Sequence, residues 1–357
     1  MPRAAWVVLL AVALGGCGAM QPEVELPAAQ PTARDTMLAP RNDIDLGGRW
    51  DASLDGLRND DRRVADVAWR IVTANAALCA DVAPRSGIVL QSALEYSPRL
   101  RPAARVAFGL DDRPAVEAVA AGSPSAVAGV RVGDVLVGVA GRALDHPAAA
   151  PTGPDRRPAS DRTVEAAQAR LTEALAAGPA ALDLVRGGAP LRLTIAPRMV
   201  CAYDAQVIPG GQLNASADGR QVLISTALVS YARSDEMLAL ILGHEFAHDV
   251  LRHRERLDRV GFARNVLGPL GSNPASLWTA EREADYVGLY LTARAGYDIA
   301  RAPEFWRRFP QTSGDLGWSH PGAAERVAAL TAARDEIAGK IARGEPLIPN
   351  VIMGARR

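Results

Sequence analysis

The stretch LALILGHEFAHDVLRH, residues 238 to 253, sets His244 and His248 around Glu245 inside an otherwise apolar helical pattern. Ser234 is a good N-cap for this helix, and Asp235 and Glu236 follow in the first turn, where carboxylates complement the helix dipole. Met237, Ile241, His244, His248 and Leu251 then share one stripe, which makes both histidines part of the inward face. One helical turn brings the two imidazoles side by side, as two ligands of one tetrahedral zinc require. Glu245 lies about 100° round the helix, close enough to reach a water at the metal without being a ligand itself. His253 falls on a different face and reads as a surface histidine. The competing reading is a pair of core histidines with hydrogen-bond partners, and a third ligand decides between the two.

A catalytic zinc takes three protein ligands and keeps an open position. WTAEREADYVGLYL, from Trp278 to Leu291, supplies the candidate. Asn273 and Pro274 signal a helix start and Gly296 a stop. Between them Leu277, Glu281, Ala284, Gly288 and Leu291 form one stripe, so Glu281 faces the core. Glu283 lies about 200° from it and is expected to be solvated. Asp285, one turn beyond Glu281, is placed to hold a ligand histidine by its other ring nitrogen.

The chain as a whole has 357 residues, 48% hydrophobic and 22% charged, enough for two globular domains. Lys+Arg and Asp+Glu are both 40, so no net field points to nucleic acid as a partner. Arg3 precedes the apolar run Ala4 to Leu14, which is too short to span a bilayer of roughly 30 Å but suits a signal-peptide core. The run ends in LGGC, which resembles a bacterial lipobox with Cys17 as the lipidated residue. That resemblance implies a periplasmic protein anchored to a membrane through lipid, and Gly18 slightly favours the outer membrane. Residues 18–45 read as a flexible tether. Cys79 and Cys201 remain, as a disulfide in an oxidising compartment or as two buried thiols in a reducing one.

An amphipathic helix is expected over Arg62 to Leu78, within an N-terminal helical part at 46–95. AVEAVAAGSPSAVAGVRVGDVLVGVAGRAL, residues 115 to 144, resembles a PDZ domain of the bacterial protease type, with ALDLV and LRLTI as closing strands around Gly187 and Gly188. The resemblance implies a β-rich PDZ-like domain at 96–198, inserted in the main fold between Cys79 and Cys201. A groove helix at 162–177 and a terminal-carboxylate loop at AFGL, residues 107 to 110, would bind peptide termini by strand addition.

HEFAH followed by EREAD on a second helix resembles the gluzincin metallopeptidases of family forty-eight, the HtpX, BepA, LoiP and CAAX prenyl protease type. The likeness covers about residues 200 to 330, within a catalytic domain placed at 199–340 ahead of a tail at 341–357. It implies an α+β fold: a mostly helical zincin core with a small edge-strand sheet, in which QVLIS, residues 221 to 225, offers a free edge to substrate. SHPGAAER matches the family's second pattern with His320, Pro321 and Arg326. His320 is then an inhibitory fourth ligand or an oxyanion stabiliser, or a loop histidine beside a proline. Arg326 belongs to the shell around the ligands. The transmembrane helices of some relatives are missing, because no second apolar run approaches about 20 residues.

These readings converge on a metalloendopeptidase that hydrolyses unfolded or misassembled envelope proteins in quality control. One zinc is held by His244, His248 and Glu281, and Glu245 is the general base. The alternative is a lipid-anchored chaperone or assembly factor that binds such proteins through the PDZ groove with little proteolysis.

Overall fold

The computed structural model describes residues 50–96, 101–144, 159–259, 274–309 and 323–350. Its fold is α+β, built on helix α1 (Trp50–Ala74). Val64, Val67, Ala68, Ile71 and Val72 are buried along one face of α1, as their spacing demands. The helix ends where Asn75 turns its amide onto the carbonyls of Ile71 (2.8 Å) and Leu291 (3.0 Å), while Arg294 donates to the Ala74 carbonyl at 3.0 Å. The Ala74 carbonyl is thus satisfied by a side chain from across the core, and Asn75 ties the helix end to Leu291.

From α1 the chain enters β1 (Val82–Arg85), which pairs antiparallel with β8 (Arg198–Cys201). Next to this pairing Cys79 and Cys201 form a disulfide across 122 residues of sequence, with Cα atoms 5.5 Å apart. It fastens the chain where it leaves the helical core and where it returns.

Between those points lies an antiparallel sheet in the order β2 (Ile88–Gln91), β3 (Ala115–Val119), β4 (Val135–Val139), β6 (Ala180–Arg186) and β7 (Ala189–Ile195), with β5 (Arg142–Ala143) on β4. Helix α2 (Arg101–Phe108) and the short α3 (Pro124–Ala128) connect its strands, and α4 (Ala159–Ala176) covers it. Leu171 and Leu175 of α4 pack with Ile88, Leu136, Leu182 and Leu184 of the strands in a core of their own. Two sequence expectations are corrected here. The sheet begins at Ile88, ahead of the boundary expected at Tyr96, because four residues with Ile88 and Leu90 inward suffice for a strand. AFGL, expected as a loop, is half helix: Ala107 and Phe108 finish α2, Gly109 follows at φ 63°, and Leu110 is buried.

The helical core resumes with β9 (Asp204–Ile208), β10 (Ala215–Ala217) and β11 (Gln221–Ser225), in the order β10-β11-β9. QVLIS, expected to present a free edge, is the middle strand: β9 pairs with it in parallel and β10 antiparallel. Val222 and Ile224 are fully buried there, and the outer strands are β10 and β9.

After α5 (Thr226–Tyr231) comes α6 (Asp235–Val250), whose N-cap Ser234 accepts from the Met237 amide at 3.3 Å. Residues 238 to 244 of α6 are all buried, so it is a central helix rather than one with a single inward stripe. Against it lies α8 (Pro274–Arg294), followed by α9 (Ala302–Arg308) and α10 (Ala323–Ala342). The two long helices touch at glycines: a Cβ on Gly288 would lie 2.8 Å from the Gly243 carbonyl oxygen and from the His244 amide nitrogen. Only two residues without side chains allow this approach, and it sets α8 against the first histidine.

Candidate metal centre

On α6 the Nε2 atoms of His244 and His248 are 3.2 Å apart. From α8 one oxygen of Glu281 comes to 3.3 Å from His244 Nε2 and the other to 3.5 Å from His248 Nε2. Among the described residues these three side chains form the group able to hold a metal ion. Ligands bound to one tetrahedral ion at about 2.0 Å stand about 3.3 Å from each other, so the spacing fits. The donor set fits as well: two imidazole nitrogens and a carboxylate meet almost out of contact with water, where their lone pairs repel unless a positive centre joins them.

His244 is held by its other nitrogen, since Nδ1 donates to Asp285 Oδ1 at 3.0 Å. Arg326, from α10, donates to the same oxygen through Nη2 (2.7 Å) and Nε (3.1 Å). The Arg326 guanidinium also lies 3.6 Å over the ring of Trp306 on α9, which is itself 5.6 Å from the His244 ring. Three helices thus converge on one imidazole. Burial opposes charge on Asp285, but Arg326 and His244 keep its carboxyl below the usual range. Burial likewise opposes charge on His244; hydrogen bonds to Asp285 and Glu281 outweigh it and raise that histidine to about 10. His248 moves the other way, to about 3, through burial and the neighbouring His244. The pocket favours one positive charge at the meeting point of the three side chains.

Glu245 is half-buried on α6, one residue beyond His244 and outside the ligand triangle. His320 and Pro321 lie outside the described residues, as does Cys17.

Two residues placed on the surface by sequence reasoning are part of the site. His253 is only 2% exposed, with Nδ1 3.0 Å from His248 Nδ1 and Nε2 3.0 Å from Glu283 Oε2. Glu283 is half-buried and held by His253 and by Arg256 at 2.6 Å, rather than free in solvent. Both corrections have one cause: the face argument runs α6 through residue 253, whereas α6 ends at Val250 and Arg252 adopts φ 52°. That left-handed residue folds α7 (His253–Arg259) back, bringing His253 beside His248. Arg252 is itself held in a two-pronged ion pair with Asp81, at 2.9 and 3.0 Å. A left-handed non-glycine residue carries no sequence signature, and Trp306 went unnoticed for want of any motif.

Comparison with known proteins adds an independent line. The family description "Peptidase family M48" matches residues 194–267 and 278–334, which hold every residue of the triangle. Among curated proteins the chain is similar to a mitochondrial metalloendopeptidase OMA1 of Schizosaccharomyces pombe, 27% identical over 150 residues, 35% of this chain and 41% of that protein. It is also similar to the Arabidopsis thaliana mitochondrial metalloendopeptidase OMA1, 30% identical over 137 residues, 32% of this chain and 27% of that protein. The chain therefore spans less than half the length of these relatives. Among solved structures, a PDZ domain of HtrA3 bound to a phage-derived ligand overlays on 33% of this chain and 88% of its own, at 27% identity and a TM-score of 0.22. The relatives correct one expectation: the periplasmic, lipid-anchored placement suggested by the apolar run and Cys17 does not stand, because the matched proteins are mitochondrial by name. No helix among the described residues is long and apolar enough to cross a membrane.

Proposed function

We propose that this chain, which matches the description of peptidase family M48 over residues 194–267 and 278–334, is a zinc-dependent endopeptidase acting on unfolded or misassembled protein chains. The observation that carries this reading is the triangle of His244, His248 and Glu281, closed to 3.2–3.5 Å by two helices in glycine contact. These three residues would hold the zinc, which when bound supplies a Lewis acid for the scissile carbonyl and acidifies a water. Glu245, on the same helix, takes the proton from the attacking water and passes it to the leaving amine. Asp285 and Arg326 hold His244 in the tautomer that leaves Nε2 bare. A substrate strand would add to an outer strand of the β10-β11-β9 sheet, where backbone hydrogen bonds recognise extended chain whatever its sequence. A preference for unfolded protein follows from that mode of binding.

The same reading takes the helices and three-stranded sheet as a gluzincin-type core. The six-stranded sheet with α4 is then a PDZ-like insert that recruits peptide ends, and its antiparallel order and separate core support this.

The test is cleavage of unfolded casein by the purified chain. We expect cleavage to stop on removal of metal by a chelator and to return with stoichiometric zinc. Casein that binds and stays uncleaved with zinc present would instead indicate a chaperone.

A further inference from the structure

His244 has Asp285 to fix its tautomer, but His248 has no carboxylate on its second nitrogen: it meets another imidazole, His253, at 3.0 Å. An imidazole nitrogen can donate or accept, so this contact alone does not say which nitrogen of His248 carries the proton. The far end of the chain of contacts says it. Glu283 Oε2 stands 3.0 Å from His253 Nε2, and a carboxylate only accepts. His253 Nε2 therefore holds its hydrogen towards Glu283, and when the ring carries only that one hydrogen Nδ1 is left as an acceptor. It accepts the hydrogen of His248 Nδ1, and His248 Nε2 is left bare towards Glu281 and His244.

We propose that His253 and Glu283 are positioning residues for the metal-binding nitrogen of His248, acting as a carboxylate–imidazole relay parallel to the Asp285–His244 pair. Three observations support it. His253 is 2% exposed, so water cannot replace either partner. Arg256 holds the same Glu283 oxygen at 2.6 Å, which fixes the carboxylate in place. The rings of His248 and His253 meet edge to face, 4.9 Å between centroids, as a nitrogen-to-nitrogen hydrogen bond allows. The two ligand histidines are thus anchored from opposite sides: His244 by residues of α8 and α10, His248 by the start of α7 and a residue of α8 facing away from Glu281.

The relay rests on the zinc reading above, and the experiment separates the two. Zinc affinity of the full chain is measured by competition with a chromophoric chelator for the parent, His253→Leu, His253→Asn and Glu283→Gln. In parallel, long-range ¹H–¹⁵N spectra of the metal-free proteins report the tautomer of His248. We expect His253→Leu to bind zinc roughly 10–100-fold more weakly, the usual cost of losing such a partner. Asn, whose Oδ1 can stand in for Nδ1, should recover most of that loss. The parent spectrum should show the hydrogen of His248 on Nδ1, and His253→Leu a mixture. Should His253→Leu fail to fold, the parent spectrum and the Asn and Gln variants decide: Glu283→Gln should weaken zinc binding and disturb the His248 tautomer. Parent-like affinity in His253→Leu, or His248 in the parent protonated on Nε2, overturns the relay alone. A parent chain that does not bind zinc overturns the metal reading itself.

Discussion

At the scale of single residues, Asp249 is a carboxyl in an unfavourable place for charge. It follows His248 on α6, accepts from the Gly219 amide at 2.8 Å through Oδ1, and has no hydrogen-bond partner on Oδ2 among the described residues. Burial raises its carboxyl from 3.8 to about 8, the Gly219 amide opposing and the charges of Glu245 and Asp218 adding to the rise. A carboxyl raised in this way binds its proton more tightly folded than unfolded. Its contribution to stability is therefore complete below about pH 4 and is lost as pH rises towards about 8. Asp249→Asn removes that dependence, so the variant should gain on the parent in melting temperature between pH 5 and 8. Parallel profiles would show Asp249 to be ionised in the fold. At this scale the sequence was legible where spacing is chemistry: His244, His248, Glu281 and Asp285 follow from helical periodicity. It misplaced His253 and Glu283 at the surface, because their meeting depends on one left-handed backbone angle at Arg252.

At the scale of elements, the site depends on how close α6 and α8 come. Gly243 and Gly288 face one another, and a Cβ on Gly243 would meet Thr292 Oγ1 at 2.3 Å. Thr292 is itself committed, donating to the carbonyls of Gly288 (2.8 Å) and Ala239 (3.0 Å), so it cannot swing clear without loss. Gly288→Ala must then push the helices apart, at about 1–3 kcal/mol for an overpacked core. We expect a lowered denaturation midpoint together with weaker zinc binding, since Glu281 and Asp285 ride on the displaced helix. Full stability with full zinc affinity would show that the contact does not set the triangle. The glycine stripe of α8 was readable as a packing face. The order of the three-stranded sheet was not: QVLIS and NASA are both short, and which one is central depends on β9, paired from upstream.

At the scale of the whole molecule, the Cys79–Cys201 disulfide and the ion pair of Arg58 with Glu117 join the six-stranded sheet to the helical core. Arg58 on α1 lies 3.2 Å from Glu117 of β3 and donates to Gln91 of β2 at 2.8 Å. Closing a loop of 122 residues costs the unfolded chain conformational freedom, worth on the order of 4–5 kcal/mol in the chain-entropy account. The paired Cys79→Ala, Cys201→Ala variant should unfold at clearly lower denaturant concentration; an unchanged midpoint would mean that the β1–β8 pairing holds the junction unaided. The two-part organisation could be read from the GSP and Gly-Gly turns, but not its boundary, because β2 is too short to announce itself. The proposed chemistry comes together in Glu245, set by α6 beside the triangle that two helices close. The measurement that tests it most directly is the rate at which zinc-loaded Glu245→Gln cleaves unfolded casein. A loss of about 10²–10⁴-fold with zinc content and melting temperature unchanged is the predicted result; cleavage at the parent rate would contradict it.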